Sequence, residues 1–93
     1  MTDCLFCKIV ARSIPSNIVF EDDNVLAFED INPKAPVHIL IIPKQHISTI
    51  NDIKSEHDAL IGQMYLAAKM IAKEKSIAED GYRAVMNCNR HGG

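Results

Sequence analysis

The sequence predicts one α+β domain, a mainly antiparallel sheet with one short and one long helix. Three observations carry this. Two strand-like runs, Ile18–Phe20 and Val25–Phe28, are separated by the polar stretch Asp22–Asp23–Asn24, a hairpin pattern. The run Val37–Ile42, "VHILII", is apolar almost throughout, as in a strand buried on both faces. Leu60, Met64, Ala67 and Ile71 recur at helical spacing, one stripe of an amphipathic helix.

The elements follow in chain order. In "CLFCKIVARSIP" the apolar residues Leu5, Phe6, Ile9 and Val10 suit a short helix. It has to stop before Pro15, because proline drives the preceding residue out of the α region. After the hairpin, Pro33 and Pro36 fix a loop that leads into Val37–Ile42. Ser55, with Asp58 three residues on, predicts a capping box that opens the long helix. Ile61 and Ala68 widen its apolar stripe, and Lys69, Lys73 and Lys75 sit where cations suit the helix dipole. Gly81 breaks the chain, and "YRAVMN" reads as a further strand. Without an internal repeat or linker, 93 residues make a single domain, 1–93.

Composition narrows the function classes. The chain is 47% hydrophobic and 24% charged, with a net charge of −2, so no basic surface favours nucleic acid or membrane as a partner. No apolar run approaches the roughly 20 residues that span a bilayer, and the start lacks a signal peptide's features. Three cysteines form an odd set. They point to the reducing cytoplasm, with thiols or metal ligands in place of a disulfide framework.

Four features bear on chemistry. Cys4-x-x-Cys7 has the spacing of a zinc ligand pair or a redox pair. A redox pair usually sits in a βαβ unit, which is not predicted here; zinc requires two more ligands, of which His46 is the best third. The plain alternative is two half-buried thiols in a short helix. His38 lies inside the apolar run, where a hydrogen-bonded core histidine is commoner than a catalyst. Asp30 in "FEDIN" could accept from the vicinal hydroxyls of a ribose, or cap a turn into Asn32–Pro33. The closing "HGG" could bring backbone N–H groups close to a phosphate. His57 and His91 read as solvated histidines.

Together, "IPSNIVFEDDNVLAFEDINPKAPVHILIIPKQHIS", "GYRAVMN" and the closing "HGG" resemble the histidine triad (HIT) family, in its Hint branch of purine nucleoside phosphoramidases. The resemblance runs from Leu5 to Gly93. It implies a HIT-like fold with five strands, about four of them in this chain, and a homodimer formed through the long helix and the "YRAVMN" strand. Ala67, Ala68 and Ile71, or their helix neighbours, are expected at that contact.

The resemblance also implies hydrolysis of a purine nucleoside phosphoramidate, with nucleotide held as a phosphohistidine. The nucleophile is the middle histidine of an H-x-H-x-H strand that follows the Gly-Gly loop. The chain is therefore expected to be C-terminally truncated, and inactive as it stands. By resemblance Phe6, Ile9, Phe28 and Ile31 form the base-binding wall and Asp30 holds the ribose. Asn87 and Gly93 match positions near the phosphate and leaving group, and His38 is a supporting histidine. Cys4, Cys7 and His46 match three ligands of a structural zinc site, incomplete here; catalysis requires no cofactor. A second reading, from another class, is a catalytically inactive nucleotide-binding or scaffold module.

Overall fold

The computed structural model describes residues 4–92. Its elements are α1 (Leu5–Val10), β1 (Ile18–Glu21), β2 (Val25–Glu29), β3 (Ile39–Pro43) and α2 (Asp58–Glu74), with 3-10 turns at Ile50–Asp52, Ser55–His57 and Arg90–Gly92. The strands lie in the order β1-β2-β3, each antiparallel to its neighbour. The hairpin turn is made by one carboxylate. Asp22 Oδ1 accepts the N–H groups of Asn24 and Val25, each at 2.8 Å, an Asx turn that reverses the chain. A register shift between Ile18 and Phe20 then sets Ile18 opposite Phe28.

The strand buried on both faces is β2, and this corrects the expectation for Val37–Ile42. Val25, Leu26 and Ala27 are 0% exposed, whereas in β3 only Ile42 is buried and the others are half-buried. Position in the sheet is the reason: β2 is central and β3 is an edge, so the more apolar run is not the more enclosed one. Leu26 and Phe28 join Ile9 of α1 and Ile42 of β3 in one cluster. Side chains alternate along a strand, which turns Val25, Ala27 and Glu29 to the other face. There α2 packs across the strands, and Lys75 Nζ reaches Glu29 Oε2 at 3.4 Å.

Both helices stop in the same way. Beyond α1 the N–H of Ser13 bonds Lys8 O and that of Arg12 bonds Ile9 O; beyond α2 Ile77 bonds Ala72 O and Ser76 bonds Lys73 O. These are Schellman closures. The residue in the left-handed position is not glycine in either, but Arg12 (φ 64°) and Ser76 (φ 61°). The long helix therefore ends at Glu74, well before the breaker Gly81. Its start also differs from expectation. Ser55–His57 form a 3-10 turn, and His57, not Asp58, supplies the reciprocal bond: its Nδ1 accepts the Lys54 N–H at 2.9 Å. His57 is buried, which corrects its reading as a solvated histidine.

Among the described residues the sheet has three strands and not about four. Residues 82–87, the "YRAVMN" stretch, carry no regular structure. Its β-branched and aromatic side chains favour an extended chain, but a strand requires a neighbour for its N–H and C=O groups, and β1, β2 and β3 pair only among themselves. Tyr82, Val85 and Met86 are exposed as a result. Ala67 and Ile71 are buried within this chain, so the apolar helix surface left open is its other side, Tyr65, Leu66 and Met70.

On the outer edge Glu21 lies between Arg12 and Lys44, with Lys44 Nζ at 2.7 Å from its Oε2. The bonds from Lys44 and then Arg12 hold its carboxyl below the usual carboxylate value. A depressed folded-state pKa stabilises the fold above the unfolded value and loses that effect as pH falls through the folded one. Three outcomes are expected. In urea titrations, the midpoint gap between the parent and Glu21→Gln should narrow as pH drops below about 4.3. Leu26→Ala should cost about 2–5 kcal/mol by urea denaturation, as for other fully buried leucines. Ser76→Gly should raise stability by about 1 kcal/mol by relieving the left-handed strain, read as a higher melting temperature.

Candidate functional site

One cluster is built around the start of α1. Cys4 precedes the helix in an extended conformation, and its Sγ accepts the Cys7 N–H at 3.5 Å. Cys7 sits one turn on, and its Sγ lies 3.0 Å from His46 Nδ1. The other ring nitrogen of His46 meets Ser48 Oγ at 2.9 Å. The loop carrying His46 is anchored just downstream, where Thr49 N–H donates to Asp52 Oδ2 at 3.1 Å and Asn51 N–H donates to Thr49 Oγ1 at 3.1 Å. The ligating atoms of Cys4, Cys7 and His46 all lie within 4.8 Å of one another. The Cys7 backbone N–H, outweighing burial, draws the Cys4 thiol below its ordinary pKa.

These donors suit a borderline-soft cation. Two sulfurs and an imidazole nitrogen are the usual set for zinc. None of their separations exceeds 4.8 Å, and a tetrahedron with ligand bonds of about 2.0–2.3 Å has edges of roughly 3.5–4 Å. Ser48 holds the far nitrogen of His46, as outer-shell groups do for metal-bound imidazoles. His91 does not join the group of three among the described residues.

The second cluster lies at the end of β2. Asp30 N–H donates to His38 O at 3.0 Å, which joins the end of β2 to the start of β3. Asp30 Oδ1 accepts the Asn32 N–H at 2.9 Å, so the turn-capping role is real. Its Oδ2 lies 3.5 Å from His38 Nε2. His38 Nδ1 accepts the Lys34 N–H at 3.0 Å. In the neutral ring that leaves the proton on Nε2, facing Asp30. A carboxylate has about four acceptor positions, so Asp30 can serve the turn and still accept from a hydroxyl.

The apolar residues divide into two kinds. Ile9 and Phe28 belong to the buried cluster. Phe6 is 41% exposed, and its ring stands 6.2 Å from that of Phe28 at 50°. Ile31 is 87% exposed, in the turn after Asp30. Asn87 is exposed in the irregular stretch after α2, and Gly93 lies outside the described residues. A hollow of about 110 Å³ is lined by Asp30, His38, Glu29, Lys75 and the two loop prolines. It is smaller than a site that encloses a whole small ligand. The larger cavity, about 290 Å³, lies at the opposite end of β2, among Asn24, Lys44, Gln45, Glu56 and Gln63. Ser48 and the backbone of Lys34 are the positioning groups that sequence reasoning missed. For Ser48, the H-x-S spacing after His46 carried the signal; for a backbone donor nothing did.

A three-stranded antiparallel sheet, a short helix on one face and a long one on the other, with Asp30 and His38 at adjoining strand ends, define a HIT-type α+β domain. Residues 3–93 match the family described as scavenger mRNA decapping enzyme C-term binding, and the chain belongs to the histidine triad family. It is 55% identical over 91 residues to the purine nucleoside phosphoramidase of Escherichia coli, covering 98% of this chain and 76% of that protein. Among solved structures, a HIT family hydrolase from Legionella pneumophila superposes with a TM-score of 0.95 at 50% identity, over 98% of this chain and 81% of that one. A histidine triad protein from Clostridium difficile gives 0.94 at 44% identity, over 100% and 81%. Among the described residues no helix is long and apolar enough to cross a membrane.

Proposed function

We propose that this chain binds a purine nucleoside monophosphate and supplies the nucleotide pocket of a cytoplasmic phosphoramidase. The observation that carries this is the 55% identity to a purine nucleoside phosphoramidase. The geometry supports it at two points. Phe6, 41% exposed and with its ring 6.2 Å from that of Phe28, suits stacking with a purine, and Ile9 and Ile31 are the other apolar residues assigned to that wall. Asp30 Oδ2 is the acceptor for the ribose hydroxyls, and His38 Nε2–H fixes that carboxylate from behind. By the family resemblance Asn87 is assigned to the phosphate end, and Gly93, assigned with it, lies outside the described residues. Pairing of two chains through Tyr65, Leu66 and Met70 would cover the exposed side of α2, a gain for so small a domain.

The 93 residues contain no H-x-H-x-H. Nucleophilic attack on phosphorus, with the two-step course it permits, requires an imidazole that none of His38, His46, His57 and His91 supplies at the position the family uses. Calorimetric titration should therefore show weak binding of AMP or GMP, with no hydrolysis of a nucleoside phosphoramidate. Measurable turnover by the pure chain would refute this division of roles. In a chain extended by an H-x-H-x-H segment, turnover should appear. There Asp30→Ala should mainly raise KM, a contact made in both ground and transition states. Asp30→Asn, which keeps the turn acceptor, separates that effect from loss of the loop.

We also propose that Cys4, Cys7 and His46 hold a structural zinc ion. It would tie α1 to the loop after β3, and no catalytic step depends on it. With three protein ligands and water as the fourth, binding should be weak. Elemental analysis should find zinc that a mild chelator strips, and Cys7→Ser should abolish it. Stoichiometric zinc that survives chelation would mean that a fourth protein ligand exists.

A further inference from the structure

Phe6, 41% exposed, lies between Cys4 and Cys7, so anything that moves these two sulfurs moves the ring proposed to stack on the base. We propose that Cys4 and Cys7 form a reversible disulfide under hydroperoxide, and that its formation loosens the nucleotide site through α1. The inference rests on the nucleotide reading for its consequence, but not for the chemistry.

The two sulfurs lie within 4.8 Å of each other across the first turn of α1. Side chains three apart on a helix have Cβ atoms about 5–6 Å apart, and a disulfide draws them to roughly 3.5–4.5 Å with an S–S bond of about 2.05 Å. The bond is therefore within reach, but only if the first turn of α1 tightens. Cys7 carries the attacking group, because the contact of its Sγ with His46 Nδ1 at 3.0 Å orients that sulfur. Ser48 Oγ steadies the ring from the other side. The Cys7 sulfur attacks the peroxide O–O bond, giving Cys7–SOH and releasing an alcohol or water. Cys4 Sγ then attacks the Cys7 sulfur, and the hydroxyl leaves with the Cys4 proton as water. In sum, two thiols and one hydroperoxide give a disulfide, an alcohol and water.

Two contacts change with it. The sulfur that accepts the Cys7 N–H is pulled across the helix. His46 loses its sulfur partner, which releases the loop after β3 from α1. Ile9, anchored in the core, holds the far end of the helix, so the adjustment concentrates at Leu5 and Phe6, both exposed. Disulfide formation would also remove two donors from the cation site.

The test first strips any zinc with the mild chelator, then treats the chain with hydrogen peroxide and reads intact mass, a peptide map, hydrogen exchange over α1 and GMP affinity. The expected result is a loss of about 2 Da mapped to Cys4–Cys7 and reversed by a dithiol, with faster exchange at residues 5–10 and several-fold weaker GMP binding. His46→Ala should slow the oxidation while leaving the disulfide, once formed, in the same place. Oxidation to sulfinic acid, or a pairing that involves Cys88, would overturn the proposal. So would a Cys4–Cys7 bond that leaves both exchange and affinity unchanged. If the reduced chain binds no nucleotide, the pocket reading fails alone; the mass and exchange results still decide the switch.

Discussion

The rest of the structure depends on the burial of β2. A strand with three consecutive residues at 0% exposure has to satisfy its backbone through the ladders on either side and its side chains through a layer on each face. The hairpin with β1, the return of β3 and the placement of both helices are the means. Its ends then fix what lies beyond them. At one end Asp22 turns the chain; at the other the backbone bond from Asp30 to His38 sets a carboxylate beside an imidazole. The candidate pair Asp30 and His38 sits at the end of the most deeply buried strand.

α1 is a dependent of the same core. Six residues are too few for an independent helix, and this one persists because Ile9 is inserted beside Leu26, Phe28 and Ile42. Its first turn is tied down separately, by the contact from Cys7 to His46. The helix is thus held at two points by different forces, apolar packing at one end and sulfur–imidazole contact at the other. Phe6 lies nearer the second. A Phe6 ring carried on such a helix is adjustable in a way that Asp30, fixed by the sheet, is not.

Much of this was legible in the residues. The hairpin, the two helices and the convergence of Cys4, Cys7 and His46 follow from period, turn chemistry and spacing, each of which is local or a motif. What escaped depends on sheet order. Ile39–Ile42 is more apolar than Val25–Phe28, yet it forms an edge, and composition carries no record of which strand is central. "YRAVMN" has a strand's side chains but no partner among the three strands, and partners are a tertiary matter. His57 looked solvated because its neighbours Ser55, Glu56 and Asp58 are polar, whereas its ring turns in to cap Lys54 and meet Gln45. Asp30 fills its turn-capping reading, and the spare acceptor positions of its carboxylate are those the ribose proposal uses.

The placing of the tyrosines has an optical consequence. The chain has no tryptophan and two tyrosines, and Tyr65 and Tyr82 are 58% and 50% exposed. Their emission already reports a largely aqueous setting in the folded protein, so it is a poor witness to loss of the core. Phe6 and Phe28 are the aromatics in contact, and phenylalanine emits too feebly to take their place. The backbone is the better reporter: the 17 residues of α2 rest on the buried strand, and their far-ultraviolet dichroism vanishes when that support goes.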